Sequence, residues 1–367
     1  MRQALTCILA AACGALLVFL FLSENPSGPE ASDPRTVERH PKDPGRPPSR
    51  NGATSIFPRA KERVAAGEEV TRDEFILELM GPAPSRDELE DWLASRGRDA
   101  ESLLAAGIIL SDLPLLTEAL KKDPDNPHIL FTLANFQEAT PEQRLQWSRR
   151  LLEVQPHNAM GSYSLASQLF EGGDHEAALS TLRASANQLD FEDFSMHSIL
   201  LTEEAYLGTG SSLFQAKLRS TVSLPIPHLA DIRGIAKYFG EGQEQLSDGE
   251  ADELRTWAGR IGVRLAEESS PKFLGNEMFG LSLQMAALRD QPGDAPSPFQ
   301  NLSVGEAESS IQARQDEIRE AVELTLSPEV LDLSPEMIEA FIDRTRLIGE
   351  LPAIEWARRQ VELQAGE

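Results

Sequence analysis

An all-α chain, with helical hairpins stacked into an array, is what this sequence predicts. Three observations carry the prediction. The segment LKKDPDNPHILFTLANF, beginning at Leu120, is echoed by LEVQPHNAMGSYSLASQL, beginning at Leu152. Helix-start signatures recur along the chain, while alternating β-branched runs are nearly missing. Apolar residues step by three and four, the spacing of one helix face.

The chain opens with Arg2 followed by an uncharged apolar run over residues 4–22. As a helix this run reaches about 28 Å, close to the ~30 Å of a bilayer core. Its length, Arg2 and the lack of an A-x-A cleavage site predict a signal anchor and transmembrane helix over residues 1–22. The N-terminus is then cytoplasmic and the body extracytoplasmic, which in a bacterium means periplasmic. A cleaved signal peptide and a lipoprotein signal ending at Cys13 are the alternatives. Residues 23–58 hold eight prolines in thirty-six residues. Proline denies regular hydrogen bonding, and few apolar side chains offset the entropy of ordering. A disordered linker is expected there.

Charge separates these segments from the body. Residues 1–58 carry six Lys/Arg and five Asp/Glu, so the rest carries 34 − 6 = 28 basic and 59 − 5 = 54 acidic groups, net −26. Such a body repels phosphate backbones, which argues against nucleic acid as a partner. Cys7 and Cys13 both lie in the apolar run, so the body has neither a disulfide nor a thiolate ligand.

From residue 59 onward helix starts are legible. Thr71 with Glu74, Ser85 with Glu88, Ser247 with Glu250 and Ser303 with Glu306 have capping-box spacing. Proline stands just inside helix starts at Pro127, Pro141, Pro328 and Pro335. The best strand candidate, residues 220–227, is broken by Pro225 and Pro227. Leu254, Trp257, Ile261 and Leu265 form a core stripe. Met337, Phe341, Thr345 and Ile348 form another, backed by Ile338 and Ile342. Residues 272–289 are apolar on nearly all sides, which marks a buried helix. Asn276, Glu277 and Gln284 argue against a second membrane span there. Leu281 is expected to be among the most buried residues of the C-terminal half, with Leu281→Ala costing roughly 2–5 kcal/mol.

The echo resembles a tetratricopeptide repeat over residues 99–190. Pro124 meets Pro156, Asn126 meets Asn158, Phe131 meets Tyr163, and Leu133-Ala134 meets Leu165-Ala166. The resemblance implies first-helix packing at Leu165-Ala166, a turn at Gly172-Gly173-Asp174, a small second-helix residue at Ala178 and a closing Pro156. The middle copy has a turn two residues shorter and Arg144 where a small residue is expected. Asp190 replaces the last closing proline. Residues 103–124 read as a weaker first copy. The expected organisation is a TPR-like helical region over 59–191, then an α-helical C-terminal domain of no recognised family over 192–367.

Catalytic chemistry is not apparent. The histidines, at 40, 128, 157, 175, 197 and 228, show no i, i+4 pair that would present a metal from one helix face. Asp123-Pro124-Asp125-Asn126 lacks the central Gly and terminal Glu of a calcium loop. No phosphate loop, dinucleotide fingerprint or nucleophile elbow appears. Glu268-Ser269, Phe273 and Gly280–Met285 resemble a lytic transglycosylase, a wall-cleaving enzyme. The spacing is several residues short, the Ser-x-x-Gly is missing, and Ser282 replaces a Met. Neither an enzyme nor a cofactor or metal site is therefore expected.

The function expected is a membrane-anchored extracytoplasmic scaffold for protein–protein interaction, since stacked helix pairs present concave surfaces. The alternative is a structural envelope protein without a specific ligand. Phe131, Asn135, Tyr163, Ser167 and Phe170 are the expected partner-binding residues. Peptide-clamping repeats hold carboxylates with Lys and Arg, which these positions lack, so a neutral or basic protein segment is the expected partner. On that expectation Tyr163→Ala weakens capture and leaves the fold intact. The competing reading packs Phe131 and Tyr163 between neighbouring repeats.

Overall fold

A computed structural model describes residues 77, 79–224, 227–240, 247–325 and 335–365 of the chain. The expected anchor at 1–22 and linker at 23–58 lie outside these residues, as do the Thr71 and Pro328 helix starts. Among the described residues the fold is all-α, with fifteen helices and two isolated β-bridges, Asn158–Asp190 and Pro296–Ser303. None of these helices is long and apolar enough to cross a membrane.

Helix α1 (Arg86–Ser95) opens on a reciprocal cap. The Ser85 hydroxyl accepts the Glu88 amide, and the Glu88 carboxylate accepts the Ser85 N–H at 2.7 Å. Three helical hairpins follow: α2 (Ala100–Leu110) with α3 (Leu113–Lys122), α4 (Pro127–Ala134) with α5 (Pro141–Val154), and α6 (Ala159–Glu171) with α7 (His175–Ser185). The echoed asparagines have one job. Asn126 Oδ1 accepts the His128 and Ile129 amides, and Asn158 Oδ1 accepts that of Met160. Each side chain thereby satisfies donors that a helix start leaves open. Between α6 and α7, Gly173 takes φ +80°, which glycine adopts at little cost, and Asp174 caps α7.

The middle hairpin differs from the expectation of a shorter turn. Its two missing residues come out of the first helix: α4 has 8 residues against 13 in α6. Its connection, residues 135–140, is the longer one. Arg144 is half-buried there and pairs with Glu171 at 3.1 Å.

After α7 the chain folds back over the hairpins. Helix α8 (Ser195–Gly208) packs across α2 and pairs with α9 (Leu213–Val222). Helix α10 (Pro227–Gly240) lies against α6 and against α11 (Asp248–Glu267). Then come α12 (Leu274–Leu288), α13 (Val304–Thr325), α14 (Pro335–Ile348) and α15 (Glu350–Ala365). The first core joins the hairpins to Phe191, Phe194, Leu229, Ile232 and the stripe Leu254, Trp257, Ile261, Leu265. The division expected between residues 191 and 192 therefore falls inside this core. A second core gathers α9 and α12–α15 around Phe341, Ile338 and Ile342, with Leu79 and Met80 packed in.

Helix α12 joins the two cores. Leu283 packs in the first, and Leu274, Leu281 and Leu288 in the second. It crosses α11 at a glycine pair: a Cβ on Gly262 or Gly280 would stand 2.5 Å from the other's carbonyl oxygen. Its polar residues are matched inside the protein. Glu277 accepts from Arg314 Nε at 2.5 Å, Gln284 accepts from Gln300 at 3.2 Å, and Asn276 meets His228 Nε2 at 3.1 Å. Leu281 is buried but 6% exposed, whereas Leu274 and Leu288 are fully enclosed. Urea unfolding of Leu281→Ala should accordingly show a loss of about 2–3 kcal/mol, in the lower part of the core range. A loss below about 1 kcal/mol would make the helix peripheral. Ile348 departs from its expected stripe and is 56% exposed. It is the last residue of α14, and Gly349 at φ +96° turns the chain away.

Candidate functional site

The five residues expected to line a groove meet other parts of the same chain. Phe131 packs on Phe194 with ring centroids 5.0 Å apart, and Tyr163 lies 6.3 Å from Phe191. Phe170 stacks on Tyr238 of α10 at 5.0 Å. Ser167 sits under α10 where a Cβ on Gly234 would come within 2.5 Å of its hydroxyl. Asn135 donates to the Phe131 carbonyl one turn back at 3.0 Å and lies beside Asp231 of α10. Phe131, Tyr163, Ser167 and Phe170 are buried, and Asn135 is half-buried. The concave line expected from the echo is thus covered by residues 191–194 and by α10. The physical reason is composition: Ala159 through Phe170 of α6 are all buried, and a helix enclosed on every side needs a neighbour on its concave face too.

The cover is incomplete. A cavity of about 460 Å³ remains, and two of the five residues, Phe131 and Asn135, line it. Ile108 and Leu116 of the first hairpin form one apolar wall, with Phe136 from the α4–α5 connection. Asp193, Ser195 and Ser198 come from the start of α8, and Ala230 from α10. Gln137 and Glu138 are exposed residues of the lining. Its charged members are Glu138 and Asp193, both acidic.

The start of α8 organises the polar side. Phe194 takes a left-handed φ of 58° at the cap and offers no side-chain acceptor. Asp193 replaces it, its Oδ1 accepting the Ser195 amide at 2.9 Å. Asp193 Oδ2 accepts from the Asn276 amide at 3.3 Å and lies 3.7 Å from His228 Nε2. The Ser195 hydroxyl is buried with no hydrogen-bond partner. Ser198 Oγ meets His128 Nε2 at 2.8 Å. Burial, followed by the neighbouring His197, pushes His128 down to about 3. So weak a base does not draw a proton from serine near neutral pH, and the pair acts as a buried strut between α4 and α8.

Behind Asn135 lies Asp231, pushed up to about 7 by burial against the opposing hydrogen bonds of Ser164 and Asn135. One of its oxygens has no partner. Among the described residues no three His, Cys, Asp or Glu side chains gather as a metal would require. Glu268 ends α11, the Ser269 hydroxyl donates to the Leu265 carbonyl at 2.8 Å, and Gly280 forms the α11–α12 crossing.

No family model, curated protein or solved structure matches the chain. The assignment of the site therefore rests on its own geometry. Asp193, Ser195, Glu138 and Ala230 were not among the residues expected from sequence. The aromatic-acid cluster Phe191-Glu192-Asp193-Phe194, directly after the last echoed unit, was the available signal.

Proposed function

We propose that this chain is a membrane-anchored, extracytoplasmic helical-repeat scaffold of the tetratricopeptide type that binds a neutral or basic protein segment and performs no catalysis. The observation that carries the reading is the cavity at the concave side of the hairpins. It has an apolar floor, a polar start of helix α8 and acidic residues as its only charges. Pockets of roughly 300–1,000 Å³ with few placed polar groups are the usual form of a binding site. The apolar run before residue 23 supports the anchor, and the echoed Pro-x-Asn units support the repeat type.

The test is affinity capture with the full-length chain, alongside Ala230→Trp. Ala230 is exposed on α10 and lines the cavity, so the indole fills the space without entering the core. A stoichiometric partner held by the natural chain and lost by Ala230→Trp is the expected result. Retention of that partner by the variant, or no stoichiometric partner at all, would refute the reading and favour a purely structural envelope protein.

A further inference from the structure

We propose that the cavity takes the side chain of an arginine or lysine from an extended segment of a partner protein. The cation lies between Glu138 and Asp193, and the alkyl stem lies against Phe131 and Phe136. This rests on the interaction reading above and gives the partner its chemistry. The lining has two carboxylates and no Lys, Arg or His. A cleft of one charge sign with low-dielectric walls focuses potential into itself.

Asp193 is buried, and its carboxylate is met by amides and an imidazole. Its neighbours are one backbone amide, one side-chain amide and an imidazole whose Nε2 is shared with Asn276. Among the described residues no lysine or arginine pairs with it. The half-positive start of α8 lies in the same wall, and Asp193 itself offsets it by accepting the Ser195 amide. Aromatic faces at Phe131 and Phe136 suit both the apolar stem and a cation. The formal net charge of −25 draws basic segments toward the whole body.

Calorimetric titration of the full-length chain in detergent with blocked pentapeptides, differing only at a central Arg, Lys, norleucine or Glu, tests the assignment. Arg and Lys peptides should bind about tenfold tighter or more than the norleucine and Glu peptides, a difference of about 1.4 kcal/mol. Glu138→Gln should remove most of that preference and leave the norleucine peptide unchanged, and added salt should narrow it. Equal binding of the norleucine peptide overturns the cation assignment while leaving the interaction reading standing. Binding of butylguanidinium as tight as that of the Arg peptide would assign the cavity to a free organic cation and overturn the protein segment. If no peptide binds while a stoichiometric partner is still captured, the cavity is not the basic-side-chain site.

Discussion

Tyr163→Ala should destabilise the protein by about 3–5 kcal/mol, the range for removing a large buried aromatic. Tyr163 is 1% exposed and among the largest fully buried side chains. Its ring packs near Phe191, and Arg264 and Ser185 lie beside its hydroxyl. Burial raises the phenol above its usual range in spite of those neighbours. Alanine there leaves a cavity beside Arg264, whose Nη1 already lacks a partner. Tyr163→Phe keeps the ring and should cost only about 1–2 kcal/mol, the scale of a single polar group. Urea unfolding of the two variants separates ring from hydroxyl. A loss below about 1 kcal/mol for the alanine variant, with weakened capture, would return Tyr163 to an open groove.

That prediction follows the packing side of the two readings the sequence left open for Tyr163. The echo records local structure faithfully, because its residues act within a few positions of themselves. Asn126 and Asn158 cap the helices that follow them, Gly173 makes the turn, and Ala178 lets two helices close. Capping boxes at Ser85, Ser247 and Ser303 were readable for the same reason. The echo does not record what lies across the concave face. That cover comes from α10 and residues 191–194, whose partners are distant in sequence.

At α12, Asn276, Glu277 and Gln284 spoke from sequence against a membrane span, but their partners were not legible. They are the points where α12 bonds to His228, Arg314 and Gln300, residues that periodicity cannot pair with it. Glycine 280 belonged to an enzyme-like string and proves to be a helix-crossing residue against Gly262. The candidate site was legible only in part. Phe131 and Asn135 line the cavity as well as lying on the expected groove line, whereas Asp193 and Glu138 come from connections with no repeat to mark them.

The buried acid of Asp231 should make the pH dependence of stability differ sharply between the natural chain and Asp231→Asn. Asp231 is 3% exposed and faces Ser164 and Glu171 of α6, Asn135 of the α4–α5 connection and Arg144 of α5. Its acid is pushed from 3.8 up to about 7 by burial. An acid with a raised folded value stabilises fully below 3.8, and that stability is lost as the unfolded chain ionises first, up to about pH 7. His128 has the opposite sign. Depressed from 6.5 to about 3, it stays neutral in the fold while the unfolded chain takes a proton, so stability rises with pH across that interval. Each group contributes a slope of about 1.4 kcal/mol per pH unit. Between 3.8 and 6.5 the two slopes oppose and nearly cancel. Asp231→Asn removes the falling slope and leaves the rising one. Its stability relative to the natural chain should therefore increase by about 1.4 kcal/mol for each pH unit over that window and then level off above about pH 7. Other carboxylates titrate in both proteins and drop out of the difference. Urea midpoints for the two chains at pH 4.5, 5.5, 6.5 and 8 provide the measurement, about 3.5 kcal/mol being the span between the first and the last. A difference that stays constant with pH would show that Asp231 is ionised in the fold throughout, and that Arg144 outweighs its burial.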